Sequence, residues 1–245
     1  MKVSMRLAAV LLASTLAALA GDLTLTMTGK GKYNDGPQTQ LWSSKFMRMN
    51  NPGSQIDTLV DYENGINYTI EHKKKTIQKF SWDDMEAAVE AMAESMKNMP
   101  AFALKLMGGG DGEVTVEDLG KEAVVGRTCR KWKITSGKMI FETSNDPSLK
   151  PPIPAVSYQR SLKVKNLIGA MGPAASQMRK IGEEMSKIQG VALKTRTVMP
   201  IVGEVTSEAT EVKEGTIPAS SFALPDGYKL VDAGKKMRED LAKGR

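Results

Sequence analysis

Alternation with a period of two runs through residues 23–80 and commits this stretch to antiparallel β-structure. Leu23, Leu25 and Met27 alternate with Thr24, Thr26 and Thr28, so one face of the first strand is apolar. Asn34-Asp35-Gly36-Pro37 is a turn. Leu41 to Met49 reads as a second strand, with Trp42, Phe46 and Arg48 on one face. Asn51-Pro52-Gly53 turns the chain into a third strand, Ile56 to Tyr62. Asn64-Gly65 is a hairpin signal, after which Ile66, Tyr68 and Ile70 alternate again. Lys73-Lys74-Lys75 leads to a fifth short strand, Thr76 to Phe80. Five strands joined by tight turns make a meander.

The periodicity then changes. Ser81-Trp82-Asp83-Asp84 fits a helix start. Met85, Val89, Met92, Met96 and Met99 follow at helical spacing, with Pro100 interrupting and Gly108–Gly112 ending the segment. Strands are expected again at Val114–Leu119, Val124–Thr135, with a bulge at Gly126, and Lys138–Thr143. After the Pro-rich stretch from Asp146 to Pro154, a second helix over residues 159–189 carries a stripe including Met171, Met178, Ile181 and Met185. Val191–Met199 and Glu204–Val212 are further strands. Ile217 to Leu230 is an extended closing segment, and the charged tail at 232–245 is expected to be frayed or loosely helical. The expected fold class is α+β, mainly β. A curved antiparallel sheet forms an incomplete barrel and hides its apolar face under two helical segments.

Residues 1–20 read as an export signal. Lys2 and Arg6 precede an apolar run from Leu7 to Leu19, and Ala18-Leu19-Ala20 fits a cleavage site. The run is shorter than the about 20 residues that span a bilayer. No Cys follows the cleavage site, so no lipid attachment is indicated there. The expected location is the periplasm or the exterior, with no transmembrane segment in the mature protein and a domain at 21–231. Subtracting Lys2 and Arg6 from the 34 basic residues leaves 32 − 28 = +4, a mild and scattered excess. Nucleic acid, which needs a concentrated basic stripe, is excluded as a partner.

Much familiar chemistry is absent. The single histidine, His72, stands beside a lysine run and reads as a solvated turn residue, leaving no base for a Ser-His-Asp or Cys-His site. One Cys and one His cannot build a zinc site, so no metal and no cofactor are expected. Cys129 has no partner for an internal disulfide, and burial is the simplest place for it. Asp83-Asp84 could suggest acid/base chemistry, but a helix start explains them through capping.

Several short motifs resemble an exported bacterial family, domain of unknown function 4412, related to the LolA/LolB/LppX-like lipoprotein carriers. They are Trp42-Ser43-Ser44-Lys45-Phe46-Met47-Arg48, Asp61-Tyr62-Glu63-Asn64-Gly65, Gly126-Arg127-Thr128-Cys129-Arg130-Lys131-Trp132, Gly190-Val191-Ala192-Leu193 and Leu224-Pro225-Asp226-Gly227-Tyr228. The resemblance implies a strongly curved incomplete barrel with helices in its mouth and acyl chains held between sheet and helices. In the carriers an arginine on an early strand pins the helical lid, and Arg48 is similar in position.

Sixteen methionines suit a cavity that adapts to variable chains, since thioether side chains are flexible. The expected function is non-enzymatic binding of a lipid or lipoprotein acyl chain, contacted by Trp42, Phe46, Met85, Val89, Met92, Met96, Met171 and Met178. The same stripes could equally pack the helices onto the sheet. An envelope protein as partner, without a small ligand, and a glycan hydrolase acting through scattered carboxylates are the alternatives.

Overall fold

The computed structural model describes residues 21–31, 35–97, 113–154, 156–157, 160, 173–199 and 203–242; the side chains of 89, 92–97, 173–179 and 241–242 are outside that description. Its strands are β1 (Leu23–Lys30), β2 (Gly36–Trp42), β3 (Phe46–Asn50), β4 (Ile56–Asp61), β5 (Ile66–Glu71), β6 (Thr76–Ser81), β7 (Val114–Val124), β8 (Arg127–Ser136), β9 (Met139–Asp146), β10 (Val191–Met199), β11 (Gly203–Glu214) and β12 (Lys229–Asp232). Helices α1 (Trp82–Lys97), α2 (Pro173–Lys187) and α3 (Ala233–Ala242) accompany them. All the described strands share one curved, unclosed sheet of order β12-β6-β5-β4-β3-β2-β1-β11-β10-β9-β8-β7. Every neighbouring pair is antiparallel except β12, which lies parallel to β6.

The meander has one strand more than expected, because Leu41–Met49 is two strands. Ser43 breaks the run: its hydroxyl oxygen accepts from the backbone N–H of Phe46 at 3.0 Å and of Lys45 at 3.3 Å, closing a serine turn. Trp42 now lies opposite Met47, and Leu41 opposite Arg48. Cross-strand partners share a face, so Trp42 lies on the opposite side from Phe46 and Arg48. The expected bulge at Gly126 is instead a two-residue hairpin turn, Val125-Gly126, with φ of 46° and 74°. The β7–β8 register shifts between Asp118 and Gly120.

The faces divide the sheet into two blocks. The face carrying Leu23, Leu25, Met27 and Trp42 is here called inner. Leu23, Leu25 and Met27 are buried in one cluster with Val191, Leu193, Ala209 and Cys129, and Trp42 and Val212 pack against it. On the outer face, Leu59, Ile70 and Ile77 form a second core with Leu41, Phe46 and Tyr68. Its cover is the closing segment: Phe222, from a short 3-10 turn at Ala219–Phe222, stacks on Phe46 with ring centroids 5.5 Å apart, and Ile217, Leu224 and Tyr228 join the cluster. Leu41 and Trp42, adjacent in sequence, therefore belong to different cores. The curved, unclosed sheet with accompanying helices is as expected, but its apolar side chains are divided between two faces.

The charged tail, expected to be frayed or loosely helical, forms helix α3 over Ala233–Ala242. α3 packs on α1 and β6, and Arg238 pairs with Asp84 at the start of α1. Gly190 leads into β10 with φ of 86°; a Cβ there would sit 2.0 Å from the Asp146 carbonyl oxygen, so only glycine fits. Among the described residues no helix is long and apolar enough to cross a membrane.

Candidate functional site

Two transverse rows of side chains cross the inner face of β2–β6. Register places Leu23, Trp42, Met47, Val60, Asn67 and Phe80 in one row, and Leu25, Gln40, Met49, Thr58, Thr69 and Gln78 in the next. From β2 to β6 every member of both rows is only half-buried, in contrast to the fully buried Leu23 and Leu25 beside them. Helix α1 reaches over this area: the Asn67 Nδ2 donates to Met85 Sδ at 2.7 Å. The result is an apolar floor of Trp42, Met47, Met49, Val60 and Phe80, partly roofed by Met85.

The roof is held at its start by a reciprocal cap. Asp84 Oδ2 accepts from the Ser81 N–H at 2.8 Å and Ser81 Oγ from the Asp84 N–H at 3.1 Å, as the structural reading of Asp83-Asp84 expected. Arg160 grips α1 from the side. It pairs with Asp83 and with Glu86, the latter at 3.3 Å, and its guanidinium lies 5.1 Å from the Trp82 ring centroid. Sequence reasoning missed Arg160, since nothing local links it to acids more than seventy positions earlier.

Arg48 holds a different segment from the one the carriers suggested. Its Nη1 donates to the carbonyl oxygens of Ser221 at 3.3 Å and Ala223 at 2.8 Å, and its Nη2 to Asp57 Oδ2 at 3.1 Å. It thus fastens the closing segment to the outer face, not a helix to the inner one. His72 is corrected as well: its Nε2 lies 3.0 Å from Asp57 Oδ2, and its Nδ1 3.0 Å from the Tyr228 hydroxyl. It does stand in the turn after β5, but instead of being simply solvated it joins Asp57 of β4, which is 6% exposed, to Tyr228 of the closing segment.

Of the proposed contact residues, Trp42 lies on the inner face, and Met85 stands over Asn67 on the same face three strands away. Phe46 is in the outer core, turned there by the Ser43 break. Val89, Met92, Met96 and Met178 have side chains outside the description, and Met171 lies outside the described residues altogether. Met185, placed in the apolar stripe of the second helix, is 44% exposed, while Ile181 on the same helix is buried.

The outer face of β1 and β8–β11 offers a cavity of about 420 Å³ lined by charged groups. Those charges are spent on one another. Glu142 meets Lys131 at 3.2 Å and Arg196 at 3.1 Å, and Lys194 meets Glu208 at 3.3 Å and Glu122 at 3.9 Å. Such a ladder suits a solvated face better than a ligand site. Cys129 is buried, and its thiol is pushed up chiefly by desolvation, which keeps it protonated and inert.

No family model matches the chain, and no curated protein matches it. Among solved structures it is similar to an uncharacterised conserved protein from Thermus thermophilus, with a TM-score of 0.45 and 9% identity over 87% of this chain and 91% of that one. It is also similar to the Mycobacterium tuberculosis lipoprotein LppX, with a TM-score of 0.32 and 8% identity over 82% of this chain and 90% of that one. A third similarity, to PNGF-II, has a TM-score of 0.43 and 14% identity over 92% of this chain, which spans only 34% of that protein's length. At these scores the likenesses carry no argument about ligand or partner. The curved, unclosed sheet stands on the strand order and registers of this chain itself.

Proposed function

We propose that this protein binds a lipid or acyl chain against the inner face of β2–β6, as a non-enzymatic carrier or sensor exported from the cytoplasm. The observation that supports this most is the half-buried floor of Trp42, Met47, Met49, Val60 and Phe80 under Met85. On the adjoining strand β1 the inner-face apolar residues Leu23, Leu25 and Met27 are sealed, whereas those of the floor are left partly open. Unbranched methionines on floor and roof suit a ligand of variable shape. The short motifs that resemble the family of domain of unknown function 4412 favour the same reading. Organic extraction of the purified protein, followed by mass spectrometry, is expected to yield lipid, and a fluorescent acyl probe is expected to bind and be displaced by it. No extracted lipid and no probe binding would remove the proposal.

The edge strand β7 favours a second reading, an envelope protein that pairs with it. Residues 115–121 are exposed, and Val116 and Leu119 are 41% and 39% exposed. A partner cross-linked by the wild type but lost from a Val116→Lys, Leu119→Lys double variant would support that reading.

A further inference from the structure

Among the described residues, three hydrogen-bond donors on the inner face show no oxygen or nitrogen acceptor. The Trp42 Nε1–H is sealed from solvent and has no acceptor among the described residues. Asn67 Nδ2 donates to a thioether, Met85 Sδ, at 2.7 Å. Gln40 Nε2 donates to another, Met27 Sδ, at 3.4 Å. Thioether sulfur is a weak acceptor, and buried polar groups in folded proteins nearly always find a better one. All three donors stand in the two rows that form the proposed floor. Trp42 and Asn67 share a row three strand spacings apart, ~14 Å, with Met47 and Val60 between them.

We infer that the chain taken up on this face is a neutral acyl ester or amide, whose carbonyl oxygens accept the hydrogen bonds now spent on thioethers or left unmade; this rests on the proposed function and narrows its ligand. A carbonyl oxygen is the better acceptor, so it displaces Met85 Sδ from Asn67 without any covalent step. Release of Met85 loosens α1 over the floor, because this bond ties the helix to β5. The apolar part of the ligand lies over Met47 and Val60. Neither row contains a charged residue from β1 to β6. A free fatty acid would therefore leave its carboxylate without a counter-charge among these residues, and burying it there is costly.

The test compares two amphiphiles that differ only at the linkage: 1-palmitoyl lysophosphatidylcholine, an ester, and its 1-O-hexadecyl ether analogue, which has no carbonyl. Binding to the full chain is measured by displacement of a fluorescent acyl probe and by titration calorimetry, with palmitate as a third ligand. The ester is expected to bind about tenfold more tightly than the ether, as one added hydrogen bond implies, and palmitate more weakly than the ester. A lone ester carbonyl reaches only one of these donors, so one of Asn67→Leu and Trp42→Phe, not both, should lower ester binding toward the level of the ether, and absence of an effect in both would overturn the inference. Equal binding of ester and ether by the wild type would overturn the inference and leave the proposed function standing. Absence of binding by either amphiphile would overturn both. The wild-type comparison needs no variant, so a folding defect in one cannot blur the outcome.

Discussion

The block built from β1 and β8–β11 and the block built from β2–β6 belong to one sheet but use its faces differently. In the first, the inner face of β1 and β11 is packed shut by Leu23, Leu25, Met27 and Ala209, and the outer face carries an ion-pair ladder. In the second, the sealed core is on the outer face, closed by Phe222, Ile217, Leu224 and Tyr228, and the inner face is left half-open. The change occurs within β2, where Leu41 and Trp42 point into different cores. A sheet that buries one face at one end and the other face at the other end gains stability from both cores. It also leaves an apolar surface only half-buried among the described residues, and that surface is where the proposed ligand would bind.

If the two cores are separate, each can be damaged alone. Phe222→Ala should cost about 4 kcal/mol in urea denaturation, because it opens the cover of the outer core. Leu193→Ala should cost about 3 kcal/mol in the other core, and the double variant should sum the two within about 0.5 kcal/mol. A strongly non-additive result would merge the two blocks into one. Arg48→Met should cost about 3 kcal/mol, since it leaves Asp57 buried without its cation and frees the closing segment. Limited proteolysis of that variant should cut first between residues 217 and 228.

A further prediction concerns acid and the first block alone. Burial pushes the Asp146 carboxyl up, but the Arg127 guanidinium and the Ser148 donors outweigh it and hold it below the ordinary carboxylate range. Its folded value lies below its unfolded one, so the unfolded chain binds more protons as pH falls between them. The stability from this group is complete above the unfolded value, about 4, and drains away as pH drops through the folded value. Asp146→Asn should therefore flatten the dependence of stability on pH below about 4, measured by urea midpoints at successive pH values.

Smaller effects separate floor from core. Met47→Ser is expected to cost about 1 kcal/mol or less, because Met47 is only half-buried, yet to weaken acyl-probe binding clearly. A large stability loss with unchanged binding would make Met47 a core residue and close the proposed site. Val125 holds φ of 46° in a hairpin turn that favours Asn, and it is 40% exposed. Val125→Asn should raise stability by about 1 kcal/mol without touching either core, as read from the thermal midpoint.

Much of the strand inventory was legible because alternation and turn residues act locally. Leu23–Met27, Asn64-Gly65 and Ser81–Asp84 each carry their structure in adjacent positions. The errors came where one residue reversed a long pattern. Ser43 splits an apolar run and turns Phe46 away from Trp42, so the expected site pair was parted. Val125 occupies a turn position that its β-branched side chain disfavours, which hid the hairpin and made Gly126 look like a bulge. His72 and Arg160 could not be placed from sequence, since their partners Tyr228 and Asp83 lie far along the chain.

The sequence by itself determined most of the strands, the capping of α1 and the supply of flexible apolar side chains, because these follow from backbone preference and side-chain spacing. Which face each strand buries was decided only in the folded molecule. Face identity depends on register between neighbours and on what arrives to cover it, and here the cover for one face comes from residues 217–228. The floor on the other face is left half-open where the closing segment goes to the opposite side, a placement that no strand pattern records.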